Sequence, residues 1–511
     1  MYFKIHIYIK MCIINSDNGS FGESIFIYSL PFVIACRSHP TSQRSDEINK
    51  GRIAVIGFIM VLLVYTFAVN AATLDSPTAR LPWKNERVNG VTSGATNVST
   101  AFGADGNFPM LSWNEGQIIY HAYPLSPPHI GNCGPDDTWK CYGISAQAGN
   151  NVVAGTVSNM SSEHLINTFL VDWAYKTDTN KIQGVQYEYS DAGDYLTRVW
   201  VDLIDLDKFG SPVEVVGAPS MKIIDGRFRL AVTLVLTGGD FPVYRLVYLH
   251  WVGGSNTSCL TAGSGYQCDV LETSLSEIGA PSLDWVAIDS VGIAYTKDGE
   301  GLKYAYPHTN SESWPANCGP APQAWRCIPI YGAAGTVGKE VKFHFGNNQL
   351  VRGIAFTYDD AMIEKTLYVA EYLGSGGNCG ADKNDAGIMI NKWKCSDVDL
   401  LTYIAAPSFS IAVDPQGYPL IAYNNALSDL SPVQLYLAYP KARIGVADPG
   451  WNREKIDGAP TTSFRTGAKA ALSINKAGLG MIGYLQEEDY HLPDVKVARQ
   501  FFTTYLPAIK K

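Results

Sequence analysis

The chain has 511 residues, 46% of them hydrophobic and 17% charged, and a formal net charge of −9. That is an ordinary globular composition with enough apolar residue to bury a large core. An acidic balance without basic runs speaks against nucleic acid and anionic membrane surfaces as partners.

Residues 1–52 hold no recognisable fold signal and read as unstructured or as a gene-model extension. Residues 53–71 differ. They are apolar from Ile53 to Val69, follow Lys50 and Arg52, and end in Val69-Asn70-Ala71 before Ala72. A basic flank, an apolar run and a small-residue end make the layout of a signal peptide. A run of ~17 residues also serves as an uncleaved signal anchor. A start at Met60 loses the basic flank. Three sequons follow, at Asn97-Val98-Ser99, Asn159-Met160-Ser161 and Asn256-Thr257-Ser258; they have meaning in a eukaryotic secretory host.

Residues 80–505 repeat one phrase. Phe108-Pro109-Met110-Leu111-Ser112-Trp113 is echoed by Tyr418-Pro419-Leu420-Ile421-Ala422-Tyr423, and its end by Val291–Tyr295, Arg352–Phe356 and Gly480–Tyr484. After it comes a polar turn and a second alternating run, as in Ile119–Pro124, Leu302–Pro307, Leu367–Ala370 and Leu435–Pro440. A cysteine-bearing turn and a Trp-x-Cys strand follow at Trp139, Trp325 and Trp393. Pro-Ser and an alternating run precede it at Pro281-Ser282 and Pro407-Ser408, where the serines read as structural. Four short period-two strands per unit, recurring at roughly 60-residue spacing, are the blades of a propeller.

The aromatics Trp113, Tyr189, Tyr295, Phe356, Tyr423 and Tyr484 mark six units, and a degenerate unit at Arg229–Thr233 and Val247–Leu249 makes seven. The fold expected is all-β, a seven-bladed propeller of four-stranded blades, with six or eight blades left open. The last unit runs out after Val495–Ala498, and Trp83–Gly90 resembles Trp451–Gly458, so the N-terminal strand is expected to close the ring. Closure removes the exposed sheet edges that template aggregation. The stretch Pro407–Tyr423 resembles the blade repeats of secreted propellers in the broad sialidase-like group (BNR-type). The resemblance holds at blade level only. The Ser-x-Asp-x-Gly-x-x-Trp turn and the arginine triad of that group are absent, so its catalysis does not carry over.

Of the ten cysteines, Cys12 and Cys36 precede the domain. The rest form local pairs, Cys133 with Cys141, Cys259 with Cys268, Cys318 with Cys327 and Cys379 with Cys395, each between the third and fourth strands of a unit. Pairs on separate blades do not form one compact zinc site; disulfides pinning hairpins do fit, and imply an oxidising compartment.

The turns between second and third strands are acidic: Glu115; Asp191 and Asp194; Asp240; Asp298 and Glu300; Asp359 and Asp360; Asp429; Glu487, Glu488 and Asp489. Beside them, Trp113, Tyr189, Tyr295, Tyr423 and Tyr484 are candidates for stacking on a sugar, with Asp298, Asp359 and Asp360 bonding its hydroxyls. The competing reading is that acids serve tight turns and strand-end aromatics pack between blades. Asp202, Asp205 and Asp207 lack the glycine and closing glutamate of a calcium loop. His121 and His250 read as packed strand residues, and no metal or cofactor is expected. The function expected is a secreted or surface-tethered binding propeller for a glycan or an extracellular protein, monomeric, tied to membrane only through the N-terminal anchor. The alternative is a glycoside hydrolase or lyase using acids on the propeller face.

Overall fold

The computed structural model describes residues 9–13, 22–26 and most of 82–500. It divides into two compact units, Met1–Asp75 and Ser76–Lys511. In the first, strands Ile9–Ile13 and Gly22–Phe26 pair antiparallel. The signal segment expected at 53–71 lies outside the described residues. Among the described residues no helix is long and apolar enough to cross a membrane.

The second unit is a ring of seven antiparallel sheets, a seven-bladed β-propeller. Blade 1 runs from Ala95 to Ser145, blade 2 from Ser161 to Asp205, blade 3 from Val213 to Ser274 and blade 4 from Ser282 to Tyr331. Blade 5 spans Val337 to Leu400 and blade 6 Phe409 to Gly458. Blade 7 takes three strands from Phe464–Gln500 and its fourth from Trp83–Gly90. Trp83 pairs with Gln500 and Gly90 with Asp494, so the first strand of the ring closes its last blade. The expected equivalence of Trp83–Gly90 and Trp451–Gly458 is literal, since both are eight-residue fourth strands. Blades 3 and 5 each carry a fifth strand, Val213–Val215 and Cys379–Lys383.

The blades are joined at the axis by serine hydroxyls, three of them in the Pro-Ser phrase. The Ser99 hydroxyl accepts the Met160 N–H of the next blade's first strand at 2.7 Å, Ser161 accepts that of Ile223 at 2.9 Å, and Ser220 that of Leu283 at 2.8 Å. Ser282 accepts the Phe343 N–H and Ser408 the Ala470 N–H, each at 2.8 Å. First strands of neighbouring blades diverge too much for a full ladder. A short hydroxyl spans the gap and satisfies an amide that burial would otherwise orphan.

The four disulfides join the expected partners. Three share a mechanism legible in Asn-Cys-Gly and Trp-x-Cys. The side-chain amides of Asn132, Asn317 and Asn378 each take the N–H and give to the C=O of the second cysteine, Cys141, Cys327 and Cys395, at 2.7–3.0 Å. Gly134, Gly319 and Gly380 then adopt φ of +78°, +89° and +65°. A Cβ on them would lie 2.4, 2.8 and 2.2 Å from the indole of Trp139, Trp325 and Trp393. Left-handed backbone and an indole overhead both demand glycine. In the fourth disulfide Ser258 replaces the asparagine, its hydroxyl accepting the Cys268 N–H at 2.8 Å.

Candidate functional site

The strand-end aromatics belong to the blade interfaces. Trp113 is 1% exposed, and Tyr295, Tyr423 and Tyr484 are 0% exposed. The Tyr295 hydroxyl donates to Glu272, that of Tyr423 to Asp399 and that of Tyr484 to Asp457, each acid lying on the fourth strand of the preceding blade. Lys297 and Lys303 join Glu272, and Lys496 joins Asp457 at 2.6 Å. Burial alone would raise Glu272, but Lys297, the Tyr295 hydroxyl and Lys303 outweigh it and hold its carboxyl below the ordinary value. Phe356 has no hydroxyl, and there the fourth strand of the preceding blade supplies Tyr331 instead, ring to ring at 5.3 Å. These aromatics clamp blades and present no face to a ligand, so the stacking role expected of them is corrected by burial.

Tyr189 needs a second correction. It lies on Lys181–Ser190, the third strand of blade 2, not at the end of the second. The second strand is Thr168–Lys176, and Asp172 pairs with Ser161 just as Ser112 pairs with Ser99, so Trp173 stands where Trp113 stands in blade 1. Asp191 and Asp194 accordingly fall between the third and fourth strands in sequence and lie outside the described residues. The acid of the second-to-third turn of blade 2 is Asp178, whose carboxylate accepts from the backbone and side chain of Asn151 at 2.9 and 2.7 Å.

Among the predicted acids, Asp298 and Asp359 are exposed, and the side chain of Asp360 is outside the described residues, as is Asp429. They sit on different blades, 4 and 5, and are not brought together. Asp205 caps the short 3-10 helix Leu206–Phe209, Asp202 pairs with Lys181 at 2.7 Å, and Asp207 accepts from Asn180. No group of three metal-ligating side chains occurs among the described residues.

What sequence reading missed is the axis. The seven first strands line a channel of 1470 Å³. Along the consecutive first strands of blades 2 to 5, Glu163, Lys222, Asp284 and His344 occupy its wall. Lys222 Nζ lies 3.2 Å from Asp284 Oδ1, while Asp284 Oδ2 accepts the Phe345 N–H at 2.7 Å. Burial would push the Asp284 carboxyl up; the Lys222 charge, His344 and the N–H groups of Phe345 and Trp285 more than cancel it, so Asp284 stays ionised. His344 Nδ1 accepts the Val413 N–H at 3.3 Å. That places the ring proton on Nε2. Burial lowers the His344 pKa against the pull of Asp284, keeping the imidazole neutral. The Glu163 carboxylate accepts both N–H groups of the Asp225-Gly226 turn, at 2.8 and 2.6 Å. That turn has left-handed φ at both residues, 52° and 69°, as a tight two-residue hairpin requires. Two aromatics of the wall stay open to solvent, Trp285 at 38% and Tyr403 at 49% exposed. The alternation in these strands looks ordinary in sequence. Only the ring brings Lys222, Asp284 and His344 side by side.

No protein-family model and no curated protein matches the chain. Among solved structures it is similar to a protein of unknown function from Dyadobacter fermentans, at 8% identity over 82% of this chain and 99% of that one, with a TM-score of 0.37. It is similar to Trypanosoma rangeli sialidase at 9% identity, covering 68% of this chain and 55% of that one, TM-score 0.35. A subtype N11 neuraminidase-like protein (flat-faced bat, Peru) is similar at 9% identity over 84% of this chain and 96% of that one, TM-score 0.30. At these identities the likeness is one of fold and carries nothing about chemistry.

Proposed function

We propose that this protein is an extracellular binding propeller that takes a glycan in its axial channel. The observation that carries the reading is that two solvent-open aromatics, Trp285 and Tyr403, line the same channel as the polar row of Lys222, Asp284 and His344. Aromatic faces cover the C–H surface of a pyranose, and charged or neutral donors and acceptors take its hydroxyls. Lys222 Nζ and His344 Nε2–H supply donors; Asp284, held ionised, supplies an acceptor.

Hydrolysis asks for something different, a carboxyl held protonated near the reacting bond. Asp284 is held the opposite way. The carboxyl that burial pushes well up is Asp172, which does not line the channel. The four disulfides fit an oxidising compartment, and with it secretion or surface tethering. The test is a glycan array run beside a hydrolysis screen on polysaccharides. Binding without turnover is expected. Turnover abolished by Asp284→Asn or Glu163→Gln would establish the hydrolase instead, and binding to extracellular proteins alone would replace the glycan with a protein partner.

A further inference from the structure

The three sequons are not equivalent once the ring is formed. Asn97 and Asn159 lie on or beside the first strands of blades 1 and 2, in the wall of the channel. The Asn97 amide donates to the Val157 C=O of the next blade at 2.7 Å. Asn159 is held at both ends, Nδ2 donating to the Met221 C=O at 2.8 Å and Oδ1 accepting the Met221 N–H at 2.9 Å. The serines of these two sequons, Ser99 and Ser161, are the hydroxyls that join blade 1 to 2 and blade 2 to 3. The third sequon is placed differently. Asn256 is the last residue of the third strand of blade 3, at the rim of the propeller and next to the Cys259–Cys268 hairpin. Asn256 is partly exposed, and Thr257 and Ser258 are exposed. The Asn256 Oδ1 accepts the Ser258 N–H at 2.8 Å, an asparagine turn, and its amide donates to Gln267 at 3.4 Å.

We infer that Asn256 carries the N-glycan of the folded chain and that Asn97 and Asn159 are bare in it. In the transfer, Asn256 Nδ2 forms a bond to C1 of an oligosaccharide. The C1–O bond to its polyprenyl diphosphate carrier breaks, the diphosphate leaves, and one amide proton goes to the transferase base. The carrier and transferase belong to the eukaryotic secretory host. Transfer precedes folding, so all three asparagines meet the enzyme; folding then sorts the products. A glycan on Asn159 puts a branched, hydrated group between two first strands whose backbones it must bond, and the ring does not close. A glycan on Asn256 extends into solvent from a hairpin tip. The folded pool therefore carries one glycan.

The full chain, expressed behind a heterologous secretory leader in eukaryotic cells, tests this in both the secreted and the microsomal pools. Enzymatic release of N-glycans in heavy-oxygen water and peptide mass spectrometry should mark Asn256 and leave Asn97 and Asn159 unmarked in protease-resistant protein. Asn256→Gln should abolish the mobility shift with the melting temperature unchanged. Asn159→Gln should keep the shift and lower the melting temperature. A glycan on Asn97 or Asn159 in protease-resistant chain, or a bare Asn256 there, overturns the assignment.

Discussion

At the scale of single residues, two buried ionisable groups set how the ring responds to pH. His121 is fully buried among Trp173, Tyr123 and Tyr189, and burial takes its pKa down to about 3. Unfolding lets it bind a proton below its ordinary pKa of ~6.5, so its contribution is complete above that pH and is lost as pH falls toward 3. Between about pH 4 and 6 the His121 proton adds a rising slope of up to about 1.4 kcal/mol per pH unit to the unfolding free energy, and His121→Phe should remove it, leaving a curve that falls with pH relative to the wild type. Asp172 runs the other way. Fully buried, and facing Gln186 on the paired strand, its carboxyl is pushed well up. The folded state then holds a proton that the unfolded state releases, and stability falls as pH rises past the ordinary carboxylate value. Asp172→Asn, which mimics the protonated acid, should raise stability at neutral pH in denaturant titrations. The buried state of His121 was legible in the sequence as a strand residue in an apolar repeat. That of Asp172 was not, because its strand was assigned one step out of place.

At the scale of elements, the disulfide hairpins explain which parts of the repeat were readable. Asn-Cys-Gly and Trp-x-Cys recur because an amide, a left-handed glycine and an indole must meet in one small volume. Three of the four hairpins keep that spelling; in the fourth, Ser258 takes the asparagine's place. Gly319→Ala puts a Cβ 2.8 Å from the Trp325 ring at a φ of +89°; it should cost about 2–3 kcal/mol in denaturant unfolding. Peptide mapping under non-reducing conditions should recover the four local pairs. Removing Cys379–Cys395, which closes the longest loop at a separation of 16, should destabilise more than removing Cys133–Cys141 at 8. Blades 2, 6 and 7 have no such hairpin, and blade 2 also lacks the phrase that ends at Tyr423 and Tyr484, so Tyr189 on its third strand imitates the marker. With no cysteine to mark the third-to-fourth turn, one alternating strand looks like another.

At the scale of the whole molecule, the ring is held by contacts between blades that the repeat hides in plain view. Tyr295, Tyr423 and Tyr484 each reach a carboxylate of the preceding blade, and Glu86 closes the circle. On the N-terminal strand, it takes Arg499 of blade 7 and the Trp139 indole of blade 1, with Arg499 stacked 4.7 Å over that indole. Burial would raise the Glu86 carboxyl, but Lys84, Arg499 and Trp139 prevail and lower it. Glu86→Ala should break the buried Glu86–Arg499 pair at a cost of about 3–5 kcal/mol, read as an earlier thermal transition. It should also promote self-association through the freed edge of blade 7, read by light scattering. Ring closure was legible because two fourth strands share a spelling. The axial channel was not, because its wall is assembled from seven strands far apart in the sequence. Binding by the purified full chain to a glycan selected on the array, titrated against Trp285→Ala and Tyr484→Phe, therefore tests the account most directly. The account predicts at least a tenfold loss of affinity for Trp285→Ala and wild-type affinity for Tyr484→Phe at a lowered melting temperature. Unchanged binding by Trp285→Ala, or binding lost by Tyr484→Phe in a protein that still melts as the wild type does, would contradict it.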